Sequence, residues 1–223
     1  MRGGQRTFVG GRSEAEGEPV VLMAQRAVYW PARGTLLVAD LHLGKSDAFR
    51  ATGVPIPSNA GREVLRFLEE AIRESGAARV LVLGDLLHAP AGLTDELLES
   101  VGRWRRQQSA AFEVIPGNHD RFVERAAEAW GMRLHEGPVR EGPFEFRHEP
   151  PERAESGLFT WCGHLHPAFV LASSADRLKL PAFLVGPRVG VMPACTPFAG
   201  GAPVRPGRGD RVYVIADGRV VQV

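Results

Sequence analysis

Four apolar segments of the chain each end in residues that can bind a metal ion or carry a proton. Each segment has the length and apolar character of a buried strand. They are TLLVAD followed by Leu41 and His42, RVLVLG followed by Asp85, FEVIPG followed by Asn118, His119 and Asp120, and LFTWCG followed by His164, Leu165 and His166. Neighbouring strands of an open α/β sheet deliver the loops that follow them into one crevice. The pattern therefore predicts a sheet whose strand ends converge on one site.

Strand and helix patterns alternate in the first part of the chain. After two strands joined by the turn PARG, helices are predicted within 58–76, 93–110 and 121–131, with the strands RVLVLGD and AFEVIPGNHD between them. This rhythm is typical of an α/β sheet that is partly parallel. From Gly131 onward the helical period disappears and the segments resemble strands or turns. We predict two sheets that share one core, flanked by helices, in a single domain over 19–223 that follows a loose tail over 1–18.

Composition excludes several classes of protein. The 27 basic and 26 acidic residues give a net charge of +1, so no global positive charge indicates a nucleic-acid or membrane partner. No stretch approaches the roughly 20 apolar residues of a membrane span, and the N-terminus lacks the apolar core of a signal peptide. Cys162 and Cys195 are too few for a disulfide scaffold and lack the spacing of a zinc site. We expect a cytoplasmic protein without a membrane partner.

Residue spacing at the strand ends suits metal chelation. Residues i and i+2 of an extended segment point the same way, so Asp40 can act with His42, and His164 with His166. Six of the seven histidines lie in or beside strand-end segments, and His135 stands apart. Oxygen and imidazole ligands without a thiolate fit manganese, iron or zinc.

Several of these residues also have structural interpretations. Asp120 is expected to cap the helix that begins at Arg121, and His135 to be a hydrogen-bonded structural residue. For His88 the structural and functional interpretations stay open. The segment Gly44-Lys45-Ser46 resembles the end of a phosphate-binding loop, but Ala39 stands where that loop needs glycine.

The order D-x-H, G-D, G-N-H-D, H and G-H-x-H resembles the signature of the calcineurin-like metallophosphoesterase superfamily. In this sequence the elements are DLH, GD, GNHD, a lone histidine and GHLH, between residues 40 and 166. The flanking segments VYWPARGTLLVADLHLGK, GDLLHA and MPACTPFAGG further resemble the bacterial DNA-ligase-associated metallophosphoesterases.

The resemblance implies a two-sheet αββα sandwich, with helices on both outer faces, that holds two divalent metal ions. The usual metal would be manganese, with iron or zinc as alternatives. The implied ligands of one ion are Asp40, His42, Asp85 and His166, and those of the other are Asp85, Asn118, His148 and His164. His148 is assigned by its order in the sequence alone. The carboxylate of Asp85 would bridge both ions, and His119 would lie near the leaving group.

Two such ions can activate a bridging water for in-line attack on phosphorus, so that no covalent enzyme intermediate is needed. His119 could protonate the departing oxygen, with Asp120 orienting it. The resemblance to the ligase-associated family therefore implies a phosphodiesterase that uses a metal-bridging hydroxide and acts on DNA or RNA during DNA repair. It also implies a functional association with a DNA ligase, a helicase and an exonuclease. The alternatives are a hydrolase of nucleotides or other small phosphoesters and a noncatalytic metal-binding scaffold.

Basic clusters give candidate contacts for a phosphate backbone. One cluster, Arg103, Arg105 and Arg106, surrounds Trp104 on a predicted helix. The other cluster is Arg205, Arg208 and Arg211, in a loop rich in proline and glycine. His88, which lies elsewhere in the sequence, is a further candidate substrate contact. The structural alternative for each cluster is a solvated surface.

Overall fold

Two sheets that share an apolar interior form the centre of the computed structural model, which describes residues 5–9, 17–54, 60–153, 155, 157–172 and 176–223. In this part of the chain the first sheet has seven strands in chain order. They are β1 (Gln5–Val9), β2 (Glu18–Met23), β3 (Ala27–Trp30), β4 (Thr35–Val38), β5 (Arg79–Leu83), β6 (Ala111–Ile115) and β7 (Arg133–Leu134). The strands from β4 to β7 are parallel, and those from β1 to β4 are antiparallel.

The second sheet is built from the remaining described strands. They are β8 (Val139–Glu141), β9 (Phe144–Phe146), β10 (Phe159–Cys162), β11 (Pro167–Ala172), β12 (Arg177–Val185), β13 (Val189–Val191), β14 (Ala202–Pro203), β15 (Arg211–Ala216) and β16 (Arg219–Gln222). Their order is β14-β11-β12-β13-β10-β9-β8, and β15 pairs with both β12 and β16. Strand β10, which directly precedes the GHLH segment, is parallel to β9 and to β13.

In the described ranges, four helices accompany the first sheet. They are α1 (Lys45–Ala51), α2 (Ala60–Ser75), α3 (Asp95–Arg106) and α4 (Val123–Trp130), with short 3-10 turns at Pro31–Arg33 and Pro90–Gly92. The side chain of Thr94 caps α3 by accepting a hydrogen bond from the backbone N–H of Leu97 (3.2 Å). The helix predicted within 58–76 is α2; residues 58 and 59 lie outside the described residues.

Packing on both faces of the central strands explains why residues 36–38 of β4 and 80–83 of β5 are apolar. Successive side chains of a strand point to opposite faces. Leu36 and Val38 pack in the layer between the first sheet and the helices, whereas Leu37 packs against the second sheet. Both faces of these strands are therefore dry, which matches the continuous apolar sequence of a buried parallel strand.

The predicted α/β sandwich with a single domain is confirmed, with two local differences. All four helices precede residue 131, and α2, α3 and α4 pack against the first sheet, so among the described residues no helix covers the second sheet. Gln5–Val9, inside the predicted loose tail, pairs with β2 because the backbone of an edge strand offers free hydrogen-bonding groups. The rest of the tail before residue 17 lies outside the described residues.

None of the helices in the described ranges combines the length and the apolar character that a bilayer crossing requires.

Candidate metal and active site

Five strands from both sheets end at one place. Asp40 and His42 follow β4, Asp85 follows β5, and Asn118 and His119 follow β6, three neighbouring parallel strands of the first sheet. From the second sheet, His148 follows β9, and His164 and His166 follow β10. The sheets are tied there by backbone hydrogen bonds, such as that from Cys195 N–H to the carbonyl oxygen of Ala39 (2.8 Å). The structure thus brings the sequence-predicted side chains together from both sheets.

One group of ligand atoms comes from Asp40, His42, Asp85 and His166. One atom from each of the four lies within 4.8 Å of the others. Nε2 of His166 is 3.3 Å from Oδ1 of Asp40, and Nε2 of His42 is 3.8 Å from Oδ2 of Asp85. Asp40, His42 and Asp85 are buried. This group could hold a metal ion.

A second group of ligand atoms comes from Asn118, His148 and His164. Nε2 of His148 lies 2.9 Å from Oδ1 of Asn118 and 3.1 Å from Nδ1 of His164, and these last two atoms are also 3.1 Å apart. Oδ1 of Asp85 lies 3.5 Å from Nε2 of His148. Asp85 is therefore shared by the two groups, with Oδ2 toward His42 and Oδ1 toward His148.

The contact between His148 and Leu83 leaves Nε2 of His148 as the nitrogen that faces the site. Nδ1 of His148 is 3.1 Å from the carbonyl oxygen of Leu83. A carbonyl oxygen only accepts, so Nδ1 donates, and the neutral form of the ring that ligates a metal would carry its lone pair on Nε2. That lone pair faces the acceptor oxygen of Asn118, a pairing that a cation between them would stabilise. The donor set of carboxylates, imidazoles and one amide fits divalent transition ions.

The pKa values of the two histidines of the first group shift in opposite directions. Burial, with smaller contributions from the nearby His166 and His88, lowers the pKa of His42 to about 2, so its imidazole is neutral and can ligate. Burial also lowers the pKa of His166, but its hydrogen bond to Asp40 and the charge of Asp40 outweigh that effect and raise it. Nδ1 of His42 is buried without a hydrogen-bond partner among the described residues, and Nε2 of His166 has none there besides its 3.3 Å contact with Asp40. Unpaired polar atoms of this kind are costly in a protein interior, and a bound ion would satisfy His166.

Backbone strain is concentrated on the same residues. Positive φ angles occur at Asp40 (54°), His42 (47°), Asp85 (50°), His164 (67°) and His166 (46°). A left-handed conformation away from glycine costs on the order of 1–3 kcal/mol, and such strain clusters at functional sites. The fold therefore retains an unfavourable backbone at five of the seven residues that the two groups contain.

Glycines of the predicted motifs make room for the ligands. A Cβ on Gly84 would overlap the ring of His148, and a Cβ on Gly117 would overlap the carboxylate of Asp85. Gly84 also has φ of 78°, which glycine adopts without strain. The ends of β5 and β6 thus each need a residue without a side chain directly beside a candidate ligand.

His119 lies at the exposed mouth of the cluster. Nδ1 of His119 is 3.0 Å from the carbonyl oxygen of His88, and the backbone N–H of His119 donates to Oδ1 of Asp85 (2.9 Å). Its ring stacks on that of His88, with centroids 5.6 Å apart and planes 13° apart. The His88 ring also contacts that of His42, so the structure places His88 at the site.

The prediction that Asp120 caps a helix is wrong. Helix α4 begins at Val123, after Phe122, without a side-chain cap. Oδ1 of the buried Asp120 accepts from the backbone N–H of Leu87 (2.9 Å), and Oδ2 accepts from that of Gly117 (2.8 Å). Asp120 therefore ties the loop after β5 to the loop after β6, and supports the backbone that carries His119. The sequence could not separate the two roles, because each uses a carboxylate to accept from backbone N–H groups.

The structural interpretation of His135 is confirmed. Nε2 of His135 is 2.6 Å from Oε2 of Glu113, beside β7. Cys162 is fully buried in β10, and burial raises the pKa of its thiol to about 12.

Two of the three arginines of the loop rich in proline and glycine lie apart from the ligand cluster. Gly209 packs against Pro187 in the turn that precedes β13, whereas the cluster lies beyond the other end of its parallel neighbour β10. Arg208 and Arg211 are therefore not brought to the cluster, while Arg205 follows β14, the strand paired with the start of β11. Of the helix cluster, Arg103 lines a groove beside the site, and the Arg105 guanidinium stacks on Phe112. Sequence reasoning missed the other groove residues, because three helices form it only after packing.

Comparisons with known proteins find solved structures that are similar to this chain over most of its length. A solved structure of the nuclease MPE from Pseudomonas putida is 31% identical, covers 98% of this chain and 100% of its own, and superposes with a TM-score of 0.81. YfcE, a phosphoesterase from E. coli, is 16% identical, covers 85% of this chain and 97% of its own, and has a TM-score of 0.46. No protein-family model matches the chain. No curated protein matches it either.

Proposed function

The chain belongs to the metallophosphoesterase superfamily and is a hydrolase of phosphoesters, and we propose that it cleaves phosphodiester bonds of nucleic acid with two divalent metal ions. Similarity to the Pseudomonas putida nuclease over both whole chains supports the choice of nucleic acid. A role in DNA repair, the association with a DNA ligase, a helicase and an exonuclease, and a cytoplasmic location stay predictions from the sequence.

The position of Asp85 carries the proposal. Its two carboxylate oxygens face different ligand groups, Oδ2 toward His42 and Oδ1 toward His148. A carboxylate that serves two adjacent cations is the arrangement that a two-metal site requires. We assign Asp40, His42, Asp85 and His166 to one ion, and Asp85, Asn118, His148 and His164 to the other.

Manganese is the proposed metal, with iron or zinc as alternatives. The ligand set has four imidazoles against two carboxylates and one amide. Imidazole suits first-row transition ions, whereas Mg²⁺ prefers an oxygen shell. Bound there, two such ions would supply an activated water and would neutralise charge on the phosphoryl oxygens.

The protein's own contribution to bond cleavage is assigned to His119. Donation from Nδ1 to the carbonyl oxygen of His88 leaves Nε2 as the atom that faces the exposed mouth. In the imidazolium form, Nε2–H would donate its proton to the departing alkoxide as the P–O bond breaks, and the ring would become neutral. Stacking on His88 holds the ring plane, and the bond from His119 N–H to Asp85 fixes the backbone. His119 therefore acts as the general acid.

Removal and return of metal tests the proposal. We expect excess chelator to abolish hydrolysis of bis-p-nitrophenyl phosphate, and Mn²⁺ to restore it better than Mg²⁺. A panel of single-stranded, duplex and nicked DNA, RNA, nucleotides and cyclic nucleotides under Mn²⁺ then ranks the substrates. Full activity in chelator would overturn the metal-dependent mechanism. Preference for nucleotides would favour the small-substrate alternative, and no turnover of any substrate would favour the noncatalytic scaffold.

A further inference from the structure

A segment over residues 193–201, which we call the strap, holds part of the first ligand group in place. The backbone N–H of Cys195 donates to the carbonyl oxygen of Ala39 (2.8 Å), the residue directly before a candidate ligand. The ring of His166 makes a hydrogen bond to the backbone of Ala199. The strap is therefore bonded both to the end of β4 and to a candidate metal ligand.

A cavity of about 140 Å³ lies between the strap, the start of β11 and the middle of β12. His166 lines it, so the cavity adjoins the first ligand group. A cavity of about 150 Å³ is large enough for a molecule the size of benzene, whereas drug-sized ligands occupy about 300–1,000 Å³. The cavity therefore suits one small tetrahedral group such as phosphate, with any attached chain outside it.

Two cations line this cavity, and no carboxylate is present among the described residues that line it. The cations are Arg26 and Lys179. Lys179 is exposed and has no ion-pair partner in the described part of the chain. A Cβ added to Gly201 would lie 3.6 Å from Cε of Lys179, so the end of the lysine side chain reaches the strap. Its ammonium group is therefore available to an anion beside the strap.

Arg26, in the turn between β2 and β3, anchors the strap and lacks an ion-pair partner among the described residues. Its Nη1 donates to the carbonyl oxygens of Ala194 (3.2 Å) and Thr196 (2.7 Å), both in the strap. Burial lowers the pKa of Arg26, because more distant charges such as that of Glu63 compensate the cation only in part. Buried charges in proteins are normally paired. An anion in the cavity would supply the missing partner.

Thr196 adds a hydroxyl group to the same lining. Its side chain is buried, and Oγ1 accepts a hydrogen bond from the backbone N–H of Phe198 (3.3 Å). A hydroxyl can also donate one hydrogen bond, and none of the described residues accepts it. A guanidinium, an ammonium and a hydroxyl group are donors that match the acceptor oxygens of a phosphate.

We propose that this cavity binds a phosphate dianion, held by Arg26, Lys179 and Thr196. The dianion is either free phosphate or the terminal monoester of a strand, which carries a charge of roughly −1.5 to −2 at pH 7. Bound there, it would join β12, through Lys179, to the strap, through Arg26, and would stabilise the strap against the first ligand group. The inference concerns binding outside the reaction centre and does not depend on the proposed function.

Calorimetric titration of the metal-free full chain with inorganic phosphate, at constant ionic strength, tests the site. Metal-free protein is used because a bound metal ion would itself take phosphate. Lys179→Met is compared with Arg177→Met, which removes one charge two residues away on β12, outside the cavity lining. We expect Kd to rise about tenfold or more in Lys179→Met, because a charge-assisted hydrogen bond is lost, and to stay close to the wild-type value in Arg177→Met.

A second variant, Arg26→Gln, tests the other cation. Glutamine keeps an N–H donor for the strap carbonyls but removes the charge, so phosphate binding should weaken as in Lys179→Met. Thermal unfolding gives a second readout that needs no titration heat. Phosphate in excess over its Kd should raise Tm in the wild type and in Arg177→Met, and should do so far less in Lys179→Met. If Arg26→Gln does not fold, the comparison of Lys179→Met with Arg177→Met decides alone.

Three oligonucleotides of one sequence, with a 5′-phosphate, a 3′-phosphate or neither, identify the source of the anion. A gain in affinity from a terminal phosphate that Lys179→Met abolishes would identify the end of a strand as the ligand. Affinity for inorganic phosphate alone that depends on Lys179 would identify free phosphate. Absence of phosphate binding in the wild type would overturn the inference, as would wild-type affinity in Lys179→Met or equal weakening in Lys179→Met and Arg177→Met.

Discussion

The Nδ1 atom of His119 lies 3.0 Å from the carbonyl oxygen of His88, and this single contact fixes which nitrogen of His119 can reach a substrate. Because the carbonyl oxygen only accepts, Nδ1 must donate, and Nε2 is the atom available to the leaving group. The exposed position of the ring leaves that atom accessible from solvent.

His119→Ala is expected to separate chemistry from metal binding. Metal content should be unchanged, while kcat on esters of alkyl alcohols falls about 10²–10⁴-fold and falls far less on p-nitrophenyl esters, whose leaving group needs no proton. Steady-state rates on both ester types and metal analysis check this. The control His135→Ala removes an imidazole beside β7 and should leave the ratio of the two rates unchanged. Equal slowing on both esters would restrict His119 to positioning the phosphate, and loss of metal would make it a ligand.

Gly84→Ala is expected to disrupt the second ligand group. The new Cβ would overlap the ring of His148, in addition to the strain of a φ angle of 78°. The matched control is Gly218→Ala, where φ is 69° but nothing lies within 4 Å of the added atom. Both variants carry the backbone cost of about 1–2 kcal/mol, and only Gly84→Ala should lose metal and activity. Wild-type metal content in folded Gly84→Ala would show that His148 is not a ligand.

Asp120→Ala is expected to lower the free energy of unfolding and the activity together. The substitution leaves the backbone N–H groups of Leu87 and Gly117 without their acceptor, and each unsatisfied buried group costs about 1–3 kcal/mol. Asp210→Ala is the control, since Asp210 accepts from Gly207 N–H in an exposed loop and should cost about 0.5 kcal/mol or less. Urea titration measures both. Equal destabilisation of the two variants would contradict the structural role of Asp120.

Glu113→Gln is expected to change how stability depends on pH. Burial raises the pKa of Glu113, but the hydrogen bond from His135 and the charge of Arg79 outweigh it, so the pKa lies below its ordinary value near 4.5. An acid with a lowered folded pKa adds stability above its unfolded pKa and loses that contribution as pH falls through the folded pKa. The difference in unfolding free energy between wild type and Glu113→Gln should therefore be largest near neutral pH and shrink below about pH 4. A difference that is constant from pH 7 to pH 3 would contradict this assignment.

The convergence of strand ends could be predicted because it follows from local rules. Asp40, Asp85 and Asn118 directly follow apolar strands, and parallel neighbours end at the same edge of a sheet. His148 was placed only by its order in the family signature. The structure adds a physical reason for its position in the bond from Nδ1 to Leu83 and the space left by Gly84.

Other features of the site depend on packing that sequence patterns do not encode. Helix α1 has seven residues, too few for a clear apolar period, and its position against the turn at Pro90–Gly92 arises from tertiary contact. The groove beside the site needs α1, α2 and α3 to lie side by side, so its lining residues Arg62 and Arg103, far apart in sequence, gave no joint signal. Arg205 and Arg208 lie between β14 and β15, and Arg211 begins β15; their contact with substrate stays a prediction from the sequence.

The most direct test of the account is a calorimetric Mn²⁺ titration of the metal-free protein beside Asp85→Asn. The control is Asp217→Asn, since Asp217 is exposed and has φ of 48°, close to the 50° of Asp85. We predict two Mn²⁺ sites in the wild type and in Asp217→Asn, and weakened binding at both sites in Asp85→Asn, because one carboxylate serves both ligand groups. A wild type that binds one ion, or an Asp85→Asn variant that binds two with wild-type affinity, would contradict the shared position of Asp85.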